Sequence, residues 1–250
     1  MRASITVICF LLTLTLFGQV NDGDAFFNGN YDKVFIQKNK VRQIIVETYT
    51  NEVKSLLTHF EFDNNGLLTK QTVADTSGKK VNDYLFTYNR HGDQIERKNI
   101  AYDLNKTYVA SFNKVYIGSK LVQETSSELP SLTTHIYDEI GKKIKSTIFL
   151  TADTSTSARR VSVYTYDPEG KLTVIEERFT ENNWSAPVYA GNTRFIYNAA
   201  GNITEVTREG KANYLLGYDT DGLLKSKTTV MPAGFNKLRM VEKYSYRFWK

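Results

Sequence analysis

Six segments of this chain carry an aromatic residue, then Asp or Asn, two unrestricted positions, and Gly, and this repeat limits the fold more than any other feature. They are Phe62-Asp63-Asn64-Asn65-Gly66, Tyr88-Asn89-Arg90-His91-Gly92, Tyr137-Asp138-Glu139-Ile140-Gly141, Tyr166-Asp167-Pro168-Glu169-Gly170, Tyr197-Asn198-Ala199-Ala200-Gly201 and Tyr218-Asp219-Thr220-Asp221-Gly222. The reason for the spacing is turn chemistry. An Asp or Asn side chain accepts a hydrogen bond from the backbone two residues on. The two open positions suit a type I turn, where the fixed φ of Pro168 is at home. The fourth position needs positive φ for a G1 bulge, which glycine adopts at least cost. Such a turn reverses the chain into a β-hairpin. These acidic residues therefore read as turn formers.

The flanks alternate with a period of two. Phe60, Phe86, Tyr164, Phe195 and Leu216 precede the key aromatics by two places, and His135 interrupts the series in the third copy. After each glycine come Leu68, Ile95, Ile144, Leu172, Ile203 and Leu224. In the second and third copies the apolar residue falls one place later, a shift that would turn a strand's faces over. Val34-Phe35-Ile36 with Val41 reads as a degenerate first unit, and Val115-Tyr116-Ile117-Gly118 as a shortened one. Tyr244, Tyr246 and Phe248 share one face of a closing strand. From Phe62 to Tyr246 the units start 21–31 residues apart, so variable connections absorb the differences: 126–130, 151–157 and 180–192.

No long stretch has a helical period. The expected fold is all-β: an antiparallel meander of repeated hairpins in one twisted, curled sheet, an open shell or half-barrel with exposed end strands. Each hairpin is marginal alone and leans on its neighbours.

The motif resembles the YD repeats of the rearrangement-hotspot and teneurin families, and most closely the short secreted YD-repeat proteins of Gram-negative bacteria. Tyr166–Thr173 and Tyr197–Thr204 carry the match best. In the large relatives such hairpins spiral into a closed shell, and eight or nine units look too few for that here. Carbohydrate binding is what the resemblance implies. Asp167-Pro168-Glu169-Gly170 lacks the surroundings of the self-cleaving core, so autoproteolysis is not carried over.

Arg2, the apolar Ile5–Phe17 and the small Gly18 form a signal peptide, too short to span a bilayer. Cys9 lies inside the apolar run after the bulky Ile8, which does not suit lipidation, so no stable membrane anchor is expected. The organisation expected is residues 1–18 as signal, 19–30 as a flexible segment and 31–250 as the repeat domain, in the periplasm or outside the cell. Without Cys9 the chain has no thiol chemistry. The net charge of +5 and pI near 9.0 are spread without basic runs, which argues against a nucleic-acid partner.

His59, His91 and His135 match no ligand or triad spacing and read as strand and turn surface. Glu176 and Glu177 are adjacent on a strand and would point to opposite faces. No cofactor, metal or catalytic residue is expected. Trp184 with Asn183 in the longest insertion, and Trp249 near the end, are the candidate ligand contacts, against the plainer reading of Trp184 as a loop anchor. The expected function is an exported, non-enzymatic binding or scaffold module for a glycan or an envelope protein. Two alternatives stand beside it: a carrier of an apolar ligand in a curled-sheet cavity, and a glycosidase.

Overall fold

The computed structural model describes residues 33–127, 131–150, 160–179, 191–231 and 239–249. A short helix, α1 (Lys33–Lys38), precedes sixteen strands among the described residues. These are β1 (Val41–Thr50), β2 (Val53–Phe62), β3 (Leu68–Ala74), β4 (Lys80–Tyr88), β5 (Gln94–Ala101), β6 (Lys106–Ile117), β7 (Lys120–Ser126) and β8 (Ser131–Tyr137). There follow β9 (Lys143–Leu150), β10 (Arg160–Tyr166), β11 (Leu172–Phe179), β12 (Gly191–Tyr197), β13 (Ile203–Arg208), β14 (Asn213–Tyr218), β15 (Leu224–Val230) and β16 (Arg239–Phe248). Every strand pairs antiparallel with its neighbours in sequence, and β1 pairs with β16.

The sheet is thus a closed barrel, not the open shell or half-barrel expected. The closing strand does not end as an edge: Ile44 lies opposite Tyr246 and Val46 opposite Tyr244, which satisfies the ladder on both sides. A spiral shell needs many units, but a ring needs only that its two ends meet in register. The second correction concerns Val34-Phe35-Ile36, read as strand, which lies in α1. Ile36 is 1% exposed and joins the core cluster, with Phe35 packed against it.

The glycine turns repeat one geometry. The Gly66 N–H donates to the Asp63 carbonyl at 3.0 Å, and the Asp63 N–H donates to the Leu67 carbonyl at 2.9 Å. Asp63 Oδ1 accepts from the N–H groups of Asn65 (2.9 Å) and Leu67 (2.8 Å). In the other five copies the side chain likewise accepts from the residue after the glycine: Asp93, Lys142, Lys171, Asn202 and Leu223. Gly66 has φ of +75°, and a Cβ there would sit 2.6 Å from the Lys33 carbonyl oxygen, because α1 lies on this turn. Asp75-Thr76-Ser77-Gly78 forms the same turn without a leading aromatic. The aromatic is therefore not needed to make the reversal.

Its role is lateral. The hydroxyls of Tyr88, Tyr137, Tyr166, Tyr197, Tyr218 and Tyr246 donate to the carbonyls of Leu68, Leu121, Lys143, Leu172, Ile203 and Leu224 at 2.7–2.8 Å. Each accepting residue lies opposite the key aromatic of the preceding hairpin. Lys120, Lys142 and Lys171 of the preceding turns hold their ammonium groups 5.5–5.8 Å from the ring centres of Tyr137, Tyr166 and Tyr197. Hairpin is thus bonded to hairpin along this rim.

The one-residue slip in two copies leaves the register intact. A bulge just before the key aromatic always sets it against the second residue after the glycine. In the second and third copies that inner place is taken by Gln94 and Lys143, and Ile95 and Ile144 face outward, 40% and 37% exposed.

Because the turns alternate, all the aromatic–glycine turns lie at one rim, with α1 beside them. The variable connections leave from strand ends at the other rim.

Candidate functional site

The alternation of burial along the strands separates an inner from an outer wall. The outer wall carries Lys98, Glu176, Arg178, Arg194, Lys243 and Arg247. A Lys or Arg facing lipid near the bilayer midplane costs roughly 2–4 kcal/mol. This wall therefore does not match the lipid-facing band of a transmembrane barrel. Asp83 is outward yet 4% exposed, enclosed by Thr72 Oγ1 (2.6 Å), Tyr102 OH (2.8 Å) and Lys80 Nζ (3.2 Å). Burial pushes its carboxyl up, but those hydrogen bonds prevail and hold it below the usual range.

The inner wall has two sectors. From β10 through β16 to β2 it holds a packed apolar cluster, including Ile44, Val46, Phe60, Tyr164, Phe195, Val206 and Leu216, with Ser162, Thr193, Lys227 and Thr229 buried on the same strands. Ile44 is 0% and Val206 1% exposed. From β3 to β9 the inner positions are largely polar: Gln71, Asn82, Asn99, Arg97, Lys114, Glu124, His135, Lys143 and Ser146. Gln71, Asn82, Arg97, His135, Lys143 and Ser146 are all buried.

The inner charges have visible supports. Lys143 Nζ lies 4.7 Å from the Tyr164 ring centre, a cation–π contact that suits a buried ammonium. Inner carboxylates hold cations: Glu124 pairs with Lys114 (3.6 Å), Glu177 with Arg160 (3.1 Å) and Lys211 (3.4 Å), and Glu242 with Lys227 (2.9 Å). Glu176 faces outward while Glu177 faces in, opposite Ser162.

Of the histidines, His91 lies in its turn and His59 on the outer wall beside Gln43 Nε2 (3.3 Å), where burial, then the Arg247 charge, lowers its pKa. His135 departs from the expected surface position. It is 6% exposed, with Nδ1 2.8 Å from Ser146 Oγ, and occupies the inner place that an aromatic or leucine fills in other copies. Tyr164 OH also reaches Ser146 Oγ, at 3.2 Å.

Trp249 is at the seam. Its backbone N–H donates to the Lys40 carbonyl (2.8 Å), and the Arg42 guanidinium lies 5.2 Å from its ring centre. Trp184 and Asn183 lie outside the described residues. The strands that flank them, β11 and β12, run out at the far rim, so Trp249 belongs to the opposite end from that connection. The inner polar residues were overlooked in the sequence, although stepping back by twos from Tyr88 reaches Phe86, Tyr84 and Asn82, and from Tyr137 reaches His135.

With this geometry in hand, comparison with solved structures gives a porin-like protein from Bacteroides uniformis at TM-score 0.51 and 11% identity, covering 84% of this chain and 97% of that one. The likeness is one of fold alone. The complex TcdB2-TccC3 also aligns, at TM-score 0.31 and 12% identity, over 80% of this chain and 14% of that one. A Photorhabdus luminescens Tc holotoxin pore aligns at TM-score 0.26 and 13% identity, over 73% of this chain and 12% of that one. This chain spans about a seventh of the first of those chains and about an eighth of the second. No family model matches the sequence, and no curated protein does.

The tyrosine rim makes the barrel sensitive to alkali. Burial raises the pKa of Tyr88, Tyr116, Tyr197, Tyr218 and Tyr246, that of Tyr218 to about 12 from a usual 10.0. A group whose folded pKa is raised contributes stability fully below its unfolded pKa and loses it as pH climbs through the folded value. Stability should therefore hold up to about pH 10 and fall between there and about pH 12. Denaturant midpoints followed with tyrosinate absorbance measure this, and Tyr218→Phe should make the fall shallower. A flat profile across that window contradicts the account.

Proposed function

We propose that this chain is an exported, non-enzymatic YD-repeat barrel that holds a ligand against the polar sector of its inner wall. The supporting observation is that a closed ring places buried amides, cations and hydroxyls on β3–β9, facing inward. Among them the side-chain oxygens of Asn82 and Asn99 are buried with no hydrogen-bond partner among the described residues, which costs free energy in a purely structural core. The YD assignment draws its support from six turns of one geometry and from the tyrosine–carbonyl bonds that join them.

A glycan fits this wall best. Amide side chains with Tyr84, Phe86 and Phe112 on neighbouring inner positions offer hydrogen bonds beside aromatic faces. The apolar-carrier reading has less support, because the apolar sector is filled by its own side chains and by Ile36. A glycosidase is disfavoured because Glu124, Glu177 and Glu242 are each engaged with a cation.

The test is a glycan and envelope-protein screen on the mature protein. Binding is expected to survive Trp184→Ala and to weaken about tenfold in Arg97→Gln. Loss with Trp184→Ala would move the site to the connection between β11 and β12. Capture of a folded protein alone, or no ligand at all, would end this reading.

A further inference from the structure

We infer that Asn82 and Asn99 form an acceptor subsite on the inner wall for hydroxyl or amine groups of a ligand. This rests on the reading that the ligand lies inside the barrel. Asn82 is 5% exposed, and both side-chain oxygens are buried with no hydrogen-bond partner among the described residues. Native proteins leave few buried acceptors in that state, and doing so is costly.

The two amides belong to one place. Asn82 lies opposite Ala101 and Tyr84 opposite Asn99, so Asn82 and Asn99 are diagonal neighbours on one face of the β4–β5 pair. Such neighbours are about 7–8 Å apart along the backbone, less at the side chains. On the inner face around them, Ala101 and Ala110 are both buried, Tyr84 and Tyr108 flank Asn99 from β4 and β6, and Ala110 lies opposite Arg97. The alanines offer no side-chain donor, and neither oxygen is hydrogen-bonded by any described residue, the two tyrosines included. Val73, opposite Asn82 on β3, has no polar atom to donate. The carboxamide oxygens therefore call for donors from outside the wall. A ligand carrying two hydroxyls, or two amines, at a spacing of a few ångströms supplies them.

The experiment uses calorimetry with two probes, cellotetraose for hydroxyls and spermidine for amines, on the mature protein and on an Asn82→Leu/Asn99→Leu variant. Leucine keeps the volume and removes the buried acceptors, so the unfolding midpoint should stay or rise. Binding of whichever probe the wild type takes should weaken about tenfold, since two hydrogen bonds are lost. Asn99→Ala, a truncation, serves where the double variant does not fold. A lowered midpoint for the double variant would show that the amides hold the wall together, and the subsite is overturned. Unchanged probe binding also overturns it, while leaving a ligand elsewhere on the inner wall intact. If the wild type takes neither probe, the subsite falls. The broader reading then falls with it only where the glycan screen is blank as well.

Discussion

Glu242→Leu is expected to destabilise the barrel by about 3–5 kcal/mol, the cost of leaving one member of a buried ion pair alone. Lys227 is 5% exposed, on β15, and its ammonium lies 2.9 Å from Glu242 on β16 and 5.3 Å from the Tyr214 ring centre. Tyr244 also donates to Glu242. Without the carboxylate, the ammonium stays enclosed among Tyr214 and the inner wall. Adding Lys227→Met should recover most of the loss, because an apolar pair of similar volume carries no desolvation penalty. Chemical denaturation of the single and double variants measures both. An exposed pair would be worth ~1 kcal/mol or less, so a small effect in the single variant contradicts the burial described.

Ile44→Ala should cost about 2–5 kcal/mol, the range for deleting a large aliphatic side chain from a core that cannot collapse around the gap. Ile44 is fully buried on β1, with Tyr246 opposite on β16 and Phe60 opposite on β2. It therefore stands at the junction where the first and last strands meet. Total stabilities of single domains are about 5–15 kcal/mol, so the loss is a large share. Exchange of backbone amides should rise first in β1 and β16 if the ring opens there. Uniform exchange across the sheet would mean that the seam is no weaker than any other pairing.

The hairpins were readable because one short turn sets its own chemistry. Asp63 and Gly66 specify a reversal whatever surrounds them, so six turns and their bulges could be found in the linear chain. Closure was not readable, since it depends on Val41–Thr50 meeting Arg239–Phe248 across nearly the whole sequence, and no local signal reports such a pairing. The helix was missed because Phe35 and Ile36 are β-formers by composition, and packing over the Gly66 turn decides their conformation. The polar inner wall was hidden for another reason. Asn82, His135 and Lys143 stand where the pattern leads one to expect apolar groups, so each looked like an exception when taken singly. Only the closed ring shows them on one side.

The two rims give the chain a division between constancy and change. One rim gathers the glycine turns, where tyrosine hydroxyls and, in several units, lysines tie a hairpin to its neighbour, and the other gathers connections of unequal length. Residues can be added or removed at the second rim without disturbing the first. A lineage built on this plan can change the lengths of the far connections while the foundation of the ring stays as it was.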